Sequence, residues 1–356
     1  MRFFVLFSVL SCIFVGCARG DDANSRNASE PRLWLGTNFS PRGWPSEIEP
    51  AAGTQYFQSH GPQGAYGNLI GYYGSWRDPG GESGQPTQLA NMAQMAKQQF
   101  GAEAALGFGW WDERHGPNLT STSEPDNNTW SNTRTRDEFR RMVVEYCQTH
   151  QPRFVYLGNE TNFYYVSLRL PAEQSQWDDW VSHFVECYDA IKAVSPQTIV
   201  FTVFQLEKMR GLGARAGWKH APHWHLISDF GTRLDAVGFT TYPHVEFGSP
   251  AEVPANYYTD IAEHWSGPVI FTEISWPADP ANPPYAGSDA KQSDWIERFF
   301  DLTANVDVLY VNHAFLHDPP EGTLNVAFGA AGLRNNDGSV IRPADATWQR
   351  MVRAKR

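Results

Sequence analysis

The chain has 356 residues, of which 41% are hydrophobic and 19% are charged. This composition excludes an intrinsically disordered chain, which carries more charge and fewer apolar residues. A formal net charge of −11 without any run of Lys or Arg excludes a nucleic-acid-binding protein, which needs a basic surface. The 14 Trp, 14 Tyr and 22 Phe suit a protein with ring-lined clefts, although large α/β cores also use many aromatic residues.

Residues 1–17 predict an export signal that carries a lipid-attachment motif. Met1 and Arg2 start the chain, and the apolar stretch that follows is too short to span a membrane as a helix. Phe14-Val15-Gly16-Cys17 is similar to a bacterial lipobox, in which Cys17 is lipidated and becomes the new N-terminus. Cleavage after Ala18, which gives a secreted protein, is the alternative. Residues 18–32 are polar and predict a flexible tether, so we expect an exported protein whose only membrane contact is the lipid.

Apolar strand patterns and amphipathic helix patterns alternate along residues 33–356. The strands are short and almost continuously apolar, as in sheets that are buried on both faces. We predict strands over Leu33–Phe39, Asn68–Trp76, Ala104–Trp111, Arg153–Gly158, Thr198–Phe204, Ala236–Tyr242, Val269–Glu273 and Val308–Phe315. We predict helices over Ser46–Ser59, Pro86–Phe100, Arg136–His150, Ala172–Val194, Pro222–Phe230, Asn256–Trp265, Ser288–Thr303 and Ala344–Arg353.

Eight strands that are each followed by a helix predict an α/β protein with a single-domain (β/α)8 TIM barrel. A doubly wound open sheet is the structural alternative, but the glycine-rich turn that binds phosphate after its first strand is missing. Within the barrel, Cys147 and Cys187 lie on the apolar faces of predicted helices. Two buried thiols are therefore favoured, with a disulfide as the alternative.

Two glutamates follow apolar strands directly. Glu160 ends the run that begins at Phe154, and Glu273 ends the run that begins at Val269. Active sites of TIM barrels lie at the carboxyl ends of the strands, and a charge placed there is partly removed from water. One such glutamate can simply cap a helix or pair with an Arg, but two on opposite strands suit glycoside hydrolysis. One carboxyl group donates a proton to the leaving oxygen while the other attacks the anomeric carbon.

Three motifs in order strengthen this interpretation. Gly158-Asn159-Glu160, the stretch 235–243 that ends in Tyr242-Pro243, and Thr272-Glu273-Ile274-Ser275-Trp276-Pro277 resemble clan A of the retaining glycoside hydrolases. Within that clan they resemble the endo-β-1,4-galactanases of family 53. The resemblance implies that Glu160 is the acid/base and Glu273 the nucleophile. It also implies that Asn159 contacts the sugar 2-hydroxyl and that Tyr242 hydrogen-bonds the nucleophile.

The resemblance covers residues 153–318 and has two departures. The arginine that clan members carry on strand two has only Arg77 as a candidate. The region from Asn312 to His317 lacks the tryptophan that often forms the floor of the sugar site. These departures concern the identity of the substrate more than the mechanism.

Four tryptophans near predicted strand ends are candidate platforms for sugar rings: Trp76, Trp110, Trp111 and Trp276. Each one alone suits core or rim packing slightly better, but the group of four favours sugar platforms. His313 is a further candidate sugar contact, with a structural histidine as the alternative. The group His220, His223 and His225 lies away from the strand ends, so we expect neither a metal nor another cofactor.

The sequence therefore predicts a glycoside hydrolase that acts on a polysaccharide or oligosaccharide. A carbohydrate-binding surface lipoprotein without catalysis is the alternative, suggested by the two departures. Both glutamates are present, however, and a binding protein has no use for a desolvated pair. A metal-dependent hydrolase built on the histidine group is the weakest of the three hypotheses.

Overall fold

A computed structural model describes residues 33–38, 65–75, 94, 96–98, 101–111, 118–119, 128–279, 285, 287–319 and 330–355. The chain divides after Arg32, and every described residue belongs to the second unit, Leu33–Arg356. The predicted signal, tether and lipidation at Cys17 lie outside the described residues, as does the helix predicted over 46–59. Of the helix predicted over 86–100, the described residues 94 and 96–98 are helical.

Nine parallel strands form one sheet. They are β1 (Trp34–Asn38), β2 (Leu69–Ser75), β3 (Glu103–Gly109), β4 (Phe154–Leu157), β5 (Ile199–Phe201), β6 (Val203–Gln205), β7 (Val237–Thr241), β8 (Val269–Ile274) and β9 (Val308–His313). The order in the sheet is β5-β4-β3-β2-β1-β9-β8-β7-β6. The two end strands, β5 and β6, are separated in the chain only by Thr202, so they are two halves of one strand and the sheet closes. The predicted (β/α)8 barrel is confirmed.

Helices flank the barrel. They are α1 (Thr133–His150), α2 (Thr161–Ser167), α3 (Gln174–Val194), α4 (Leu206–Met209), α5 (His225–Asp229), α6 (Asp289–Leu302) and α7 (Pro343–Lys355). Short 3-10 helices cover Ala214–Ala216, Pro243–Val245, Pro250–Glu252 and Thr259–Glu263. The last of these replaces the α-helix predicted over Asn256–Trp265. The predictions missed α2 and α4, which are too short to show a helical period.

Side-chain caps and apolar stripes explain the long helices. Asn132 caps α1 by accepting hydrogen bonds from the backbone amides of Arg134 and Thr135, and Ser288 caps α6 in the same way. Helix α3 buries a stripe that includes Trp177, Trp180, Phe184 and Ile191, as its spacing predicts. No helix in the described part of the chain combines the length and apolarity needed to cross a bilayer.

The barrel has a separate core on each side of the sheet. Residues on one face of the strands, such as Leu69, Tyr156 and Tyr310, fill the barrel interior. Residues on the other face pack against the helices. Strand β3 contributes glycines to the interior, and a Cβ on Gly107 would overlap the ring of Tyr156. The Tyr156 ring therefore packs against β3 where this strand has a glycine and no side chain.

The C-terminal helix α7 makes hydrogen bonds with the region just before β2. The Tyr66 hydroxyl donates to Asp345 over 2.6 Å, and Arg334 binds the same carboxylate over 3.0 Å. The Trp348 indole donates to the Tyr66 carbonyl over 3.1 Å. The two bonds to Tyr66 are buried and join residues that are far apart in the sequence, and Trp348 also packs on His313 of β9. Helix α7 therefore connects the region before β2 with the last strand.

The two cysteines of the barrel are buried and unpaired. Cys147 lies in α1 and Cys187 in α3, which pack against each other. Burial raises the pKa of the Cys147 thiol to about 12, and it raises the pKa of Cys187 as well. The prediction of two buried thiols is confirmed.

Candidate active site

A tight turn at the end of β4 presents Glu160. Gly158 has a φ of +81°, and a Cβ there would lie 2.6 Å from the Trp110 indole nitrogen, so only glycine fits. Glu160 itself has a φ of 50°, in the left-handed region that side chains rarely adopt. Non-glycine residues in this region often mark functional sites. The Thr240 hydroxyl, at the end of β7, donates to Oε1 of Glu160 over 2.6 Å.

A β-bulge near the end of β8 turns Glu273 towards the barrel axis. Phe239 pairs with Phe271, whereas the next residue of β7, Thr240, pairs with Glu273, so Thr272 is the extra residue. Bulges often redirect a side chain beside an active site. The Asn38 amide donates to the Thr272 carbonyl over 3.0 Å, and Asn312 donates to Oδ1 of Asn38 over 2.9 Å. These two asparagines hold the bulge from strands β1 and β9.

Hydrogen bonds connect the two glutamates through their neighbours. The Tyr242 hydroxyl donates to Oε2 of Glu273 in a short hydrogen bond. The Asn159 amide donates to Oε1 of Glu273 over 3.5 Å, and Asn159 directly precedes Glu160 in the chain. Thr240 binds Glu160 and pairs in register with Glu273. The structure therefore brings Asn159, Glu160, Tyr242 and Glu273 together at the carboxyl ends of the strands.

The environment gives the two carboxyl groups different proton affinities. Desolvation raises the pKa of Glu160, and the negative charge of Glu273 raises it further. Desolvation also raises the pKa of Glu273, but hydrogen bonds from Tyr242 and Asn159 oppose that change. As the pH rises, Glu273 therefore ionises first and Glu160 keeps its proton longer. This is the division that acid catalysis beside a nucleophile requires.

A third glutamate supports the site and was not assigned a role from sequence. Glu207 is fully buried in α4 and accepts hydrogen bonds from the Thr241 hydroxyl over 2.8 Å and the Tyr242 amide over 3.0 Å. The Tyr257 hydroxyl donates to the same carboxylate over 2.9 Å. Glu207 thereby holds the backbone from which Tyr242 reaches Glu273. Its position just after an apolar strand, like that of Glu160, was the signal in the sequence.

The tryptophans predicted as platforms for sugar rings differ in how exposed they are. Trp111 is half-buried, with its ring centroid 6.0 Å from that of Tyr164. Trp110 is 1% exposed and packs against Trp130 and Trp180, with ring centroids 5.3 and 4.3 Å away. It is a core residue behind the Glu160 turn, so its prediction as a sugar platform is wrong. Trp76 and Arg77 lie outside the described residues.

Trp276 and His313 face the helices instead of the barrel mouth. The Trp276 ring is 1% exposed and lies 5.7 Å from the ring of Trp295 in α6. The His313 ring is fully buried 5.7 Å from Trp348 in α7. Burial lowers the pKa of His313 to about 4, so it packs as a neutral ring. The structure therefore corrects both predictions of direct sugar contact, because neither side chain is exposed at the mouth.

Of the three histidines after α4, two have stacked rings and the third is edge-on to its neighbour. His220 and His223 are parallel, with centroids 5.5 Å apart, and His225 lies within 3.4 Å of the Tyr165 hydroxyl. Among the described residues, no group of three or more His, Cys, Asp or Glu side chains is arranged to hold a metal ion.

Comparisons with known proteins point to the same family as the motifs. The family model for "Glycosyl hydrolase family 53" matches residues 135–313, just over half of the chain, and this span contains both glutamates. Comparison with curated proteins gave no match.

Solved structures show the same fold at low sequence identity. A structure from a study of two fungal β-1,4-galactanases has 14% identity and a TM-score of 0.60, covering 89% of this chain and 99% of that one. The exo-β-1,4-mannosidase Op5Man5 from Opitutaceae bacterium strain TAV5 has 16% identity and a TM-score of 0.62, with 90% of this chain covered. The chain spans 60% of the length of that mannosidase and 35% of a Bacteroides uniformis β-glucuronidase.

Proposed function

Since the chain belongs to glycosyl hydrolase family 53, we propose that it is a retaining glycoside hydrolase that cleaves a β-linked polysaccharide. The observation that carries the proposal is the pair of half-buried glutamates that Asn159, Thr240 and Tyr242 connect. Two carboxyl groups with different proton affinities at the mouth of a barrel suit glycosidic bond cleavage. A binding protein would gain nothing from this costly arrangement.

The proposed reaction has two displacements. Glu273, ionised, attacks the anomeric carbon while Glu160 donates its proton to the leaving oxygen, and a covalent glycosyl-enzyme forms. Glu160, now a carboxylate, removes a proton from water, which attacks the same carbon. This step releases the sugar with its original configuration, and Glu273 leaves as a carboxylate. Glu160 is protonated again at the end of the cycle.

The neighbouring residues have supporting roles in this mechanism. Tyr242 and Asn159 donate hydrogen bonds to Glu273, which stabilises its ionised form. We assign Asn159 a second role as the contact for the sugar 2-hydroxyl, and Trp111 a role as a platform for a sugar ring. The galactanase name of a structural relative makes β-1,4-galactan the first polymer to test.

The decisive test is the release of reducing sugar from a polysaccharide panel: galactan, arabinogalactan, mannan, xylan and β-1,3- and β-1,4-glucans. We expect release from one polymer by the wild-type protein and a loss of at least about 10⁴-fold in Glu273→Ala, because no nucleophile remains. Comparable turnover by the folded variant would refute the assignment. Binding to a panel polymer without release would instead favour the carbohydrate-binding protein.

A second experiment separates the roles of the two glutamates. Azide can replace a missing carboxylate nucleophile, so Glu273→Ala with azide should form a glycosyl azide of inverted configuration. With an aryl glycoside, whose phenolate leaves without a proton, Glu160→Ala should instead form the azide of retained configuration, because azide then attacks the glycosyl-enzyme and needs no base. The anomeric configuration can be measured by proton NMR. The opposite pair of products would exchange the roles of Glu160 and Glu273.

We also propose that the protein is exported and held at a bacterial membrane by a lipid on Cys17. The support is the Phe14-Val15-Gly16-Cys17 motif and the polar tether after it. The intact mass of the mature protein tests this proposal. A lipid-modified Cys17 at the N-terminus is expected, and an unmodified N-terminus at Arg19 would contradict it.

A further inference from the structure

Tyr73 is an exposed aromatic residue to which the sequence analysis gave no role. It lies in β2, whose side chains alternate between the two cores. Ile70 and Tyr72 pack with the helices, whereas Leu69 belongs to the barrel interior. Tyr73 therefore points into the barrel, two pleats above Leu69. It is 37% exposed, more than any other Phe, Trp or Tyr among the described residues.

An interior side chain can reach solvent only through an open end of the barrel. The opposite end is filled by interior residues that include Leu69, Phe154 and Tyr310. Tyr73 is near the carboxyl end of its strand, which is the end where both glutamates lie. Its exposure is therefore an exposure to the catalytic cleft.

The position of the phenol can be read from the strand register. Tyr73 pairs with Gly107, but a Cβ on Gly109 would overlap its phenol group, so the side chain leans towards the mouth. Gly109 lies beside Gly158, because Phe108 pairs with Leu157 in the next strand. Gly158 is two residues before Glu160. The Tyr73 ring thus ends just below the level of the acid/base.

The ring is held in this orientation from below. It stacks on Tyr156, with centroids 6.2 Å apart and planes within 13° of each other. Tyr156 lies over Gly107 in the same way that Tyr73 lies over Gly109. The missing side chains of β3 therefore make room for two stacked tyrosines, of which only the upper one is exposed.

We propose that Tyr73 forms the floor of the site for the sugar ring that Glu273 attacks. This proposal rests on the proposed glycosidase function. The reacting sugar must lie between the two carboxyl groups, and the exposed aromatic ring beneath that level matches the apolar C–H face of a pyranose. The phenol adds a hydrogen-bonding group for a sugar hydroxyl. Strand β2 thereby supplies the aromatic floor, whereas in β9 Asn312 holds Asn38 and His313 faces the helices.

The test compares kcat/KM of four variants on the panel polymer that the wild-type protein cleaves, beginning with β-1,4-galactan. Tyr73→Ala should lower kcat/KM at least about tenfold, and Tyr73→Phe, which keeps the ring, by only about threefold. Gly109→Ala should also lower kcat/KM, because its Cβ displaces the phenol. Tyr72→Phe is the matched control on the opposite face of β2 and should retain wild-type activity.

A binding measurement separates floor contact from a general structural role. In the inactive Glu273→Gln background, adding Tyr73→Ala should weaken binding of β-1,4-galactotetraose about tenfold by calorimetry, with a melting temperature within about 2 °C. Full activity and binding in Tyr73→Ala or Gly109→Ala, with an active wild type, would overturn this proposal alone. A wild-type protein that is inactive on the whole panel would overturn the proposed function and this inference with it.

Discussion

Glu160 shows how the requirements of catalysis and stability conflict in one residue. The barrel holds its carboxyl group out of bulk water beside Glu273, and both effects favour the protonated form. Its backbone also adopts the left-handed conformation, which costs about 1–3 kcal/mol for a residue with a side chain. Neither feature helps the chain to fold. Both place a proton donor at the mouth of the barrel.

This conflict predicts a pH-dependent gain of stability in Glu160→Gln. Because the pKa of Glu160 is raised in the folded state, the folded protein binds more protons than the unfolded chain between the two pKa values, and its stability falls as the pH rises through that range. Gln mimics the protonated side chain and does not titrate. The variant should match the wild type near pH 4 and exceed it by about 1–2 kcal/mol near pH 9.

Thermal unfolding at the two pH values measures this difference. Glu145→Gln, at an exposed position of α1, is the matched control for the loss of a carboxylate at the surface. An advantage of Glu160→Gln that is largest at pH 4 would contradict the proposed cause.

At the scale of the element, the end of β8 depends on its neighbours. The bulge at Thr272 decides which face Glu273 joins, because one extra residue reverses the alternation of side chains. Asn38 holds the bulge from β1, and Asn312 orients Asn38 from β9. The position of Glu273, the proposed nucleophile, is therefore set by three strands together.

Asn38→Ala should accordingly lower kcat by about tenfold, since small displacements of a reacting group are costly. Asn256→Ala is a suitable control, because the Asn256 side chain also takes part in two hydrogen bonds but lies before the 3-10 helix Thr259–Glu263. Steady-state kinetics on the cleaved polymer, with melting temperatures, compares the two variants. Equal kcat values in both would show that the bulge does not need Asn38.

The alternation of faces also explains which predictions about elements succeeded. Apolar runs located all eight strands, because burial on both faces makes strands apolar whatever their neighbours. The same alternation sends Trp110, two residues after Phe108, towards the helices, and it sends His313 there after Val311. A position near a strand end predicted contact with the cleft. Whether the side chain faces the cleft or the helices, however, depends on the alternation of faces along the strand.

At the scale of the whole molecule, barrel closure depends on contacts that no local pattern reveals. The first strand, β1, pairs in parallel with the last strand, β9, and α7 binds back to Tyr66. The family motifs predicted Asn159, Glu160, Tyr242 and Glu273 together, because they lie at the ends of three apolar runs. The roles that we give to Tyr73, Asn38 and Glu207 depend on strand register and on hydrogen bonds between distant parts of the chain.

Trp348→Ala tests how much α7 contributes to the barrel. Its ring packs against Phe300 and His313, and its indole binds the Tyr66 carbonyl. Removing a buried tryptophan costs about 3–5 kcal/mol, which urea-induced unfolding can measure. Arg353→Ala on the exposed side of α7 should cost under about 0.5 kcal/mol. A loss below about 1 kcal/mol in Trp348→Ala would show that the helix is dispensable.

The buried cysteines of α1 and α3 can serve as built-in probes for the separation of these two helices. Neither thiol reaches solvent in the folded state, and both resist ionisation. An alkylating reagent therefore reacts with Cys147 and Cys187 only during excursions in which these two helices separate. The rate of their alkylation reports how often the two helices separate. The measurement needs no introduced cysteine and leaves the residues of the cleft unchanged.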